Sequence, residues 1–421
     1  MAAPTSDGPA RAAEHPSRPR RRTRVVLLTG KGGVGKSTLA AGTAALAAAS
    51  GRRTLLLSTD AAHSLADAVD HPVGPEPTRV APDLFVQQVD VQRRFEESWA
   101  QVRRYLLGVL DLGGLDRVVA EELTVLPGAE EVLALLELRR QVDGGGWDAV
   151  VVDCAPTAET LRLLALPASL GWYLERVLQR HVTRALRPVL ARTTGLPVPD
   201  EDVLGAVRRL HDDLVAVRTV LTGPDSSVRL VLTPESVVLA EARRSWTGLA
   251  LHGYRVDGVV VNRVFPAGDD DPWRAGWVAA QRRVLEEVEH SFAGLPVWRC
   301  GYEPREPVGA AALRSLAHST YGDGDPLAPP DPDRPAPFRA RTTAEGAELR
   351  LSLPLVTREQ VDLARSGDDL VVTIGATRRL VALPAALSRL AVVGARVGAG
   401  ELCVRFADAP AASAPVAGAG R

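Results

Sequence analysis

Residues 24–50 read RVVLLTGKGGVGKSTLAAGTAALAAAS, and the architecture of the chain can be predicted outward from them. A short apolar run, Val25 to Leu28, is typical of a buried strand in a parallel sheet. Gly30 to Ser37 match the pattern G-x-x-x-x-G-K-[ST] in full. An alanine-rich run with high helix propensity, Thr38 to Ala49, comes next. Strand, glycine loop and helix in this order predict a phosphate-binding loop at the carboxyl end of the strand.

The residues of this loop have complementary roles in a nucleotide site. The glycines let the backbone approach the phosphates and turn its N–H groups inward, and the positive end of the helix dipole adds attraction. We expect Lys36 to reach the β- and γ-phosphates of ATP and Ser37 to offer its hydroxyl to Mg²⁺. The predicted nucleotide-binding residues of this segment are Gly30, Lys31, Gly32, Gly33, Val34, Gly35, Lys36, Ser37 and Thr38.

A second lysine, Lys31, directly follows the first glycine of the loop. The chain has 50 basic residues, and Lys31 and Lys36 are its only lysines. Because a compact ammonium is not interchangeable with a planar guanidinium, both positions need lysine itself. A lysine here is typical of the deviant form of the loop, in which it crosses a dimer interface to the partner's nucleotide. The sequence therefore predicts a homodimer.

Composition limits the remaining functions. The 421 residues suffice for two or three domains, and the net charge of −1 gives no field that favours nucleic acid, so no nucleic-acid partner is expected. Three scattered cysteines without a C-x-x-C argue against a disulfide framework or a cysteine zinc site, which fits a cytoplasmic protein: Cys154, Cys300 and Cys403. No apolar run is long enough to span a bilayer.

Two carboxylates are predicted at the same sheet edge as the loop. Thr54 to Ser58 form a second buried strand, and Asp60 comes shortly after it. Asp60 either caps a short helix that starts at Ala61 or faces the γ-phosphate. Asp148 to Asp153 form another apolar strand that ends in a carboxylate, and we expect Asp153 to hold Mg²⁺ through water.

These features predict an α/β fold: a doubly wound parallel sheet with an inserted helical subdomain, plus a small C-terminal antiparallel β-sandwich. Further strands are predicted at Leu84–Val89, Arg229–Leu232, Asp257–Asn262 and Pro296–Trp298. The expected divisions are a disordered arm (1–23), an ATPase domain (24–320) with helical insertions at about 92–143 and 170–220, a Pro/Asp-rich linker (321–344), the sandwich (345–408) and a disordered tail (409–421). An extended linker of this kind would span about 60 Å.

Several P-loop groups share the K-G-G-x-G-K core of the loop, and other segments choose among them. LLLSTDAAHSLADAV (55–69) and DAVVVDCAPTAETLRLLALP (148–167) resemble switches I and II of the arsenite-pump and tail-anchored-protein-targeting ATPases, the ArsA-type family. RLVLTPESVVLAEARRSWTGLALHGYRVDGVVVNRVFP (229–266) is similar to a later block of that family. DDLVVTIGATRRLVALPAALSRLAVVGARVGAGELCVRF (368–406) resembles the small heat-shock (α-crystallin-like) domain fused to some actinobacterial members.

The resemblance implies a role for each matching residue. Lys31 and Lys36 would contact phosphates, Ser37 and Asp153 would belong to the Mg²⁺ site, and Asp60 would orient the attacking water and adjoin the metal shell. Asn262 would reach the adenine. The chain departs from the family pattern at several positions: Ala61 replaces a proline, Cys154 a threonine and Ala158-Glu159 a Gly-His pair, and the bridging C-x-x-C of the eukaryotic factor is missing.

Three functions are compatible with these residues. The first is an ATP-hydrolysing dimeric switch that binds and releases a hydrophobic client or membrane-protein segment. The second is the ATPase subunit of an arsenite or antimonite efflux pump, although three scattered cysteines suit a thiol-seeking ion poorly. The third is a MinD/ParA-like positioning or regulatory ATPase. Paired arginines within helical stretches are better explained as solvated helix faces than as a DNA-binding surface.

Overall fold

The computed structural model describes residues 22–59, 64–89, 129–154, 201–267, 271–331, 333–344, 346–375 and 377–408. Elements are numbered in chain order over these residues. The strands are β1 Arg24–Thr29, β2 Thr54–Ser58, β3 Thr78–Ala81, β4 Leu84–Gln88, β5 Ala149–Asp153, β6 Ser226–Leu232, β7 Val256–Val264, β8 Val297–Gly301, β9 Phe338–Thr343, β10 Gly346–Ser352, β11 Val361–Ser366, β12 Asp369–Ile374, β13 Thr377–Ala382, β14 Ala391–Gly398 and β15 Glu401–Ala407. The helices are α1 Lys36–Ala49, α2 Ser64–Val69, α3 Ala129–Asp143, α4 Glu201–Thr222, α5 Ser236–Leu251, α6 Pro272–Ser291, α7 Gly309–Tyr321 and α8 Ala385–Ser388.

The main sheet has eight strands in the order β3-β4-β2-β5-β1-β6-β7-β8. All neighbours pair in parallel except β3, which runs antiparallel to β4 at the edge. The inner strands are buried along their whole length because helices cover both faces, which explains their continuous apolar runs. The predicted doubly wound parallel sheet is confirmed. The short edge strand β3 was not predicted, since its four residues are only partly buried and show no alternation of apolar and polar side chains.

The position of β1 places the glycine loop at the centre of this sheet. β1 lies between β5 and β6, and the chain passes from β1 through α1 to β2, beyond β5. Strand order therefore reverses beside β1, and such a point opens a crevice at the carboxyl ends of the strands. The alanine-rich α1 packs closely against α7, because small side chains let two helices approach.

A network of buried charges joins β1, β6 and β7 near the amino ends of these strands, away from the glycine loop. Asp257 accepts hydrogen bonds from Arg229 Nε and Nη2 (3.1 and 2.9 Å), from Arg24 Nη2 (3.1 Å) and from Ser227 Oγ (2.7 Å). The Arg229 guanidinium also lies over the Trp298 ring, 4.5 Å from its centroid. Every charge in the network therefore has a partner, as burial requires.

The segment predicted as an extended linker is packed instead. Leu327 is buried in the core of the ATPase domain. The carbonyl oxygens of Pro326, Leu327 and Ala328 accept hydrogen bonds from the buried guanidinium groups of the network. The prediction from Pro/Asp composition failed because backbone carbonyls, which every residue has, provide these contacts.

The C-terminal module contains two antiparallel sheets, β14-β15-β10-β9 and β11-β12-β13, packed around one apolar core. This confirms the predicted sandwich. Three of its strands were not predicted, β9, β11 and β14, because they are partly exposed and rich in polar residues or glycine. Leu251, the last residue of α5, is fully buried in this core, and Thr247 Oγ1 donates to Pro354 O at 2.8 Å. The module is thus built onto α5 of the ATPase domain.

Parts of the predicted helical insertions are described. α3 belongs to the first block and α4 to the second, and the rest of both blocks lies outside the described residues. The predicted terminal arm, except for residues 22 and 23, and the predicted tail also lie outside them. Within the ranges given above, no helix is long and apolar enough to cross a membrane.

Candidate functional site

The glycine loop adopts a conformation that few residues other than glycine permit. Gly33 and Gly35 have φ of 80° and 91°, in the left-handed region. A Cβ on Gly35 would lie 2.3 Å from Asn262 Nδ2, so space as well as backbone angle requires glycine there. Gly35 is the N-cap of α1, and no side chain caps this helix start. The first N–H groups of α1 therefore point into the loop, where the helix dipole favours an anion.

Lys36 lies inside the loop. It is only 7 % exposed, and its ammonium donates to Lys31 O at 3.3 Å. The Lys31 side chain is partly exposed, and Ser37 and Thr38 follow in the first turn of α1, both partly buried. The loop thus carries one lysine whose side chain is buried and one whose side chain is partly exposed.

Asp153 lies at the end of β5, beside the loop. It is fully buried and aligned with Leu28 of β1 and Ser58 of β2. Burial and the Asp153 carboxylate raise the pKa of the Cys154 thiol, whereas Lys36 acts in the opposite direction. Because one thiol is influenced by both Asp153 and Lys36, the carboxylate and the ammonium share a neighbourhood, as the sequence analysis predicted from the strand ends.

Asn262 connects β7 to the glycine loop. Its Nδ2 donates to Val34 O at 2.8 Å, and its Oδ1 accepts from Arg263 N at 2.9 Å. Arg263 has a φ of 59° and lies where the pairing of β7 with β8 shifts register, so the strand is irregular just after Asn262. The family resemblance implies a contact between Asn262 and adenine. The described contact is with the loop itself, which sequence reasoning missed because Val34 and Asn262 are 228 residues apart.

Two further features at this edge were not predicted. Gln281 of α6 accepts from Phe265 N at 2.8 Å and donates to Arg263 O at 3.1 Å, which fixes the chain after β7. Phe265 stacks on Tyr302 with ring centroids 5.3 Å apart and an interplanar angle of 7°. No local pattern could indicate these contacts, since each joins residues from separate elements.

The other predicted residues are accounted for as follows. Asp60 lies outside the described residues. Cys154 directly follows β5 and Cys300 lies in β8, four strand positions away, which corresponds to about 19 Å across the sheet. Cys403 lies in the sandwich. In the part of the chain that the structure describes, no three His, Cys, Asp or Glu side chains form a group that could hold a metal ion.

A central strand that leads through a glycine loop into an uncapped helix, beside a strand ending in a buried carboxylate, defines a P-loop NTPase-like protein. Comparison with known families is more specific, and the chain belongs to the ArsA-type ATPase family. The model described as anion-transporting ATPase matches residues 23–322, and that of the HSP20-like domain found in ArsA matches residues 344–406. The family resemblance and the C-terminal small heat-shock module predicted from the sequence are confirmed.

Individual relatives agree with this assignment. An arsenical pump-driving ATPase, so named, of Chlorobaculum tepidum is 36 % identical over 373 residues, which cover 87 % of this chain and 92 % of the relative. A protein of Streptomyces coelicolor is 39 % identical over 392 residues, which cover 92 % of this chain and 98 % of that protein. An ATPase ASNA1 homolog of Entamoeba dispar is 26 % identical over 298 residues, which cover 68 % of this chain and 90 % of the relative.

Proposed function

We propose that the protein is an ATP-hydrolysing dimeric switch, in which binding and hydrolysis of ATP control binding and release of a hydrophobic client or membrane-protein segment. The observation that carries the ATPase part is the glycine loop. Its uncapped helix start, positive-φ glycines and buried Lys36 form a concave anion site beside Asp153. Membership of an ATPase family supports the same substrate.

The residues at the loop fit a magnesium-nucleotide site. Mg²⁺ takes oxygen ligands, and the Ser37 hydroxyl and the buried Asp153 carboxylate are oxygen donors near the loop. Ser37 would bind the ion directly and Asp153 through water. When bound, Mg²⁺ neutralises charge on the phosphate oxygens.

Hydrolysis then depends mainly on positioning. The loop N–H groups and Lys36 hold the β- and γ-phosphates, and Asp60 orients the attacking water, because a loose phosphoryl-transfer transition state needs little more from side chains. Asn262, in this proposal, holds the loop in its binding shape through Val34 O and contacts the adenine. Lys31 reaches the nucleotide of a second copy, so that ATP closes a homodimer.

The client is proposed from the switch segments and the appended module. The switch-like stretches resemble the branch of the family that includes targeting ATPases, and the C-terminal unit has the fold of an HSP20-like domain. A second candidate, an arsenite or antimonite pump ATPase, is favoured by the name of the Chlorobaculum relative. Against it, the described positions of Cys154, Cys300 and Cys403 do not converge.

Steady-state ATP hydrolysis by the full chain tests both candidates. It is measured alone, with antimonite, and with a solubilised single-helix membrane segment. Stimulation by the helix supports the client switch, whereas stimulation by antimonite that is lost in Cys154→Ser supports the pump. Lys36→Ala should abolish tight nucleotide binding, and Asp60→Asn should bind ATP but turn over far more slowly. Equal turnover by Asp60→Asn and the wild type would refute the role given to Asp60.

A further inference from the structure

The outer face of the four-stranded sandwich sheet carries five arginines, and we call it the arginine face. Strand pairing sets its side chains in rows across the strand order β9, β10, β15, β14. One row is Arg339, Arg350, Cys403 and Arg396, and the next is Arg341, Glu348, Arg405 and Gly394. The proposed function makes no use of this surface.

Strand alternation separates the arginine face from the apolar core of the sandwich. Buried core residues alternate with those of the face in both central strands: Leu349 and Leu351 in β10, and Leu402 and Val404 in β15. On the face itself, Arg341, Arg396 and Arg405 are exposed. The arginines therefore lie on the side of the sheet that faces solvent.

The charge of this face is positive, in contrast to the net charge of −1 of the whole chain. The carboxylates that these four strands place on it are Glu348 and, one row further along β15, Glu401. Five arginines against two glutamates leave a net charge of +3. The Glu348 and Glu401 side chains are only 17 % and 26 % exposed, whereas that of Arg341 is 59 % exposed. Guanidinium groups therefore form the layer nearest the solvent.

The two glutamates hold three of the arginines in place. Arg341 Nη2 and Arg350 Nη2 donate to Glu348 Oε2 at 2.7 and 3.0 Å. Arg350 Nη1 also lies 3.6 Å from Glu401 Oε2, and Arg339 pairs with Glu401. Hydrogen bonds from Arg341 and Arg350 lower the pKa of Glu348, so this carboxylate stays ionised. The ion pairs order the face and leave its excess of positive charge.

The other two arginines, Arg396 and Arg405, have no such partner. Neither forms a hydrogen bond or an ion pair with a residue that the structure describes. Arg405 extends across Gly394 of β14, where an added Cβ would lie 3.1 Å from its Nη2. Because a glycine stands there, the guanidinium can lie flat over the neighbouring strand. The N–H donors of both arginines are thus available to an anionic partner.

The distribution of these charges fits a flat anionic surface. Neighbouring strands lie about 4.8 Å apart and successive rows about 7 Å apart, so the arginines spread over about 14 Å of width and do not converge on one ion. The aromatic residues of these strands, Phe338 and Phe406, belong to the core, so the face offers no ring on which the bases of a single strand could stack. Four strands are also wider than the two-stranded ribbon that a DNA major groove admits. Separate phosphate groups side by side, as acidic phospholipids present them, match the array, because guanidinium binds phosphate through paired N–H donors.

We propose that the arginine face is a docking surface for membranes that contain acidic phospholipids. The sandwich would lie with its four-stranded sheet against the headgroups, and Arg396 and Arg405 would supply the unpaired guanidinium groups. Docking of this kind requires neither nucleotide nor hydrolysis. It therefore does not depend on the function proposed above.

Co-sedimentation of the full chain with vesicles, in the absence of nucleotide, tests the proposal. Vesicles of phosphatidylcholine and phosphatidylserine are compared with vesicles of phosphatidylcholine alone, and only the acidic vesicles should bind the wild type. An arginine near an acidic membrane contributes about fivefold to the partition coefficient, or about 1 kcal/mol. Arg396→Gln and Arg405→Gln should therefore each weaken binding about fivefold, and the double variant about 30-fold. Added salt should weaken wild-type binding because it screens exposed charges.

The double variant Arg283→Gln/Arg378→Gln is the matched control. It removes the same charge from exposed positions on α6 and on the other sandwich sheet, and it should bind acidic vesicles as the wild type does. Thermal unfolding checks that both double variants keep the wild-type fold.

Equal binding by the two double variants would overturn the proposal, as would equal binding of the wild type to vesicles with and without phosphatidylserine. Binding of duplex DNA or polyglutamate through Arg396 and Arg405, without binding to acidic vesicles, would also overturn it, because the partner would then be a nucleic acid or an acidic protein.

Discussion

Replacement of Asn262 separates two ways in which this residue can support nucleotide binding. The structure shows Asn262 Nδ2 donating to Val34 O at 2.8 Å, and Asn262 is buried. In Asn262→Ala this hydrogen bond is lost and a buried carbonyl of the loop loses its donor. The cost of leaving such a group unsatisfied is about 1–3 kcal/mol. If this cost destabilises the loop conformation that binds nucleotide, the Kd for ATP should rise about 5- to 150-fold.

The assay compares ATP with inorganic triphosphate, which carries the phosphates but no base. A residue that holds the loop should weaken both ligands by the same factor, because both depend on the loop conformation. A residue that recognises only adenine should weaken ATP and leave triphosphate unchanged. We expect a common factor, with a further loss confined to ATP if Asn262 also contacts the base.

Gln281→Ala provides the control for this experiment. It removes two hydrogen bonds to the chain just after Asn262 but none to the glycine loop. Triphosphate affinity should therefore change much less than in Asn262→Ala. Unchanged triphosphate affinity in Asn262→Ala would refute the argument that the Val34 contact maintains the binding shape of the loop.

Three other predictions concern stability. Asp257→Asn should lower the free energy of unfolding by about 3–5 kcal/mol in urea titrations, because it leaves two buried guanidinium groups without their shared carboxylate. Asp325→Asn is the control, because Asp325 pairs with Arg52 at the surface, and it should cost at most about 1 kcal/mol. His252 has a pKa of about 4 in the folded protein and 6.5 as its ordinary value, so the unfolded chain binds its proton first as pH falls. The stability that the neutral imidazole contributes is present in full above about pH 6.5. As pH falls towards 4, the free energy of unfolding should decrease by up to about 3 kcal/mol, and His252→Asn should lack this decrease. Leu251→Ala should open a cavity in the sandwich core and cost about 2–5 kcal/mol, whereas Val237→Ala, at an exposed position of the same helix, should cost little.

A specific experimental result would contradict each of these predictions. Equal costs for the Asp257 and Asp325 variants would mean that burial of the network does not control its energy. Parallel pH profiles for the wild type and His252→Asn would mean that the imidazole is not desolvated at the domain interface. A sandwich that resists proteolysis equally well in Leu251→Ala and the wild type would show that the module does not depend on α5.

Local sequence was sufficient for the central part of this fold. The apolar runs of β1, β2 and β5 predicted buried parallel strands because helices on both faces leave no position for a polar side chain. The edge strands β3, β9, β11 and β14 were not predicted, because solvent on one side of an edge strand allows polar side chains there and no continuous apolar run results. Leu327 shows the same limit, since a single leucine in a Pro/Asp-rich segment carries no periodicity.

The sequence alone established the nucleotide-type loop, the strand-end position of Asp153, the family and the appended sandwich, because these follow from short patterns whose physics is local. Tertiary structure was needed for the contact between Asn262 and Val34 and for the insertion of Leu251 into the sandwich core. Both contacts join residues that lie far apart in the chain, 228 positions in the case of Asn262 and Val34. Such contacts depend on how complete elements pack, and no local propensity or spacing encodes that packing.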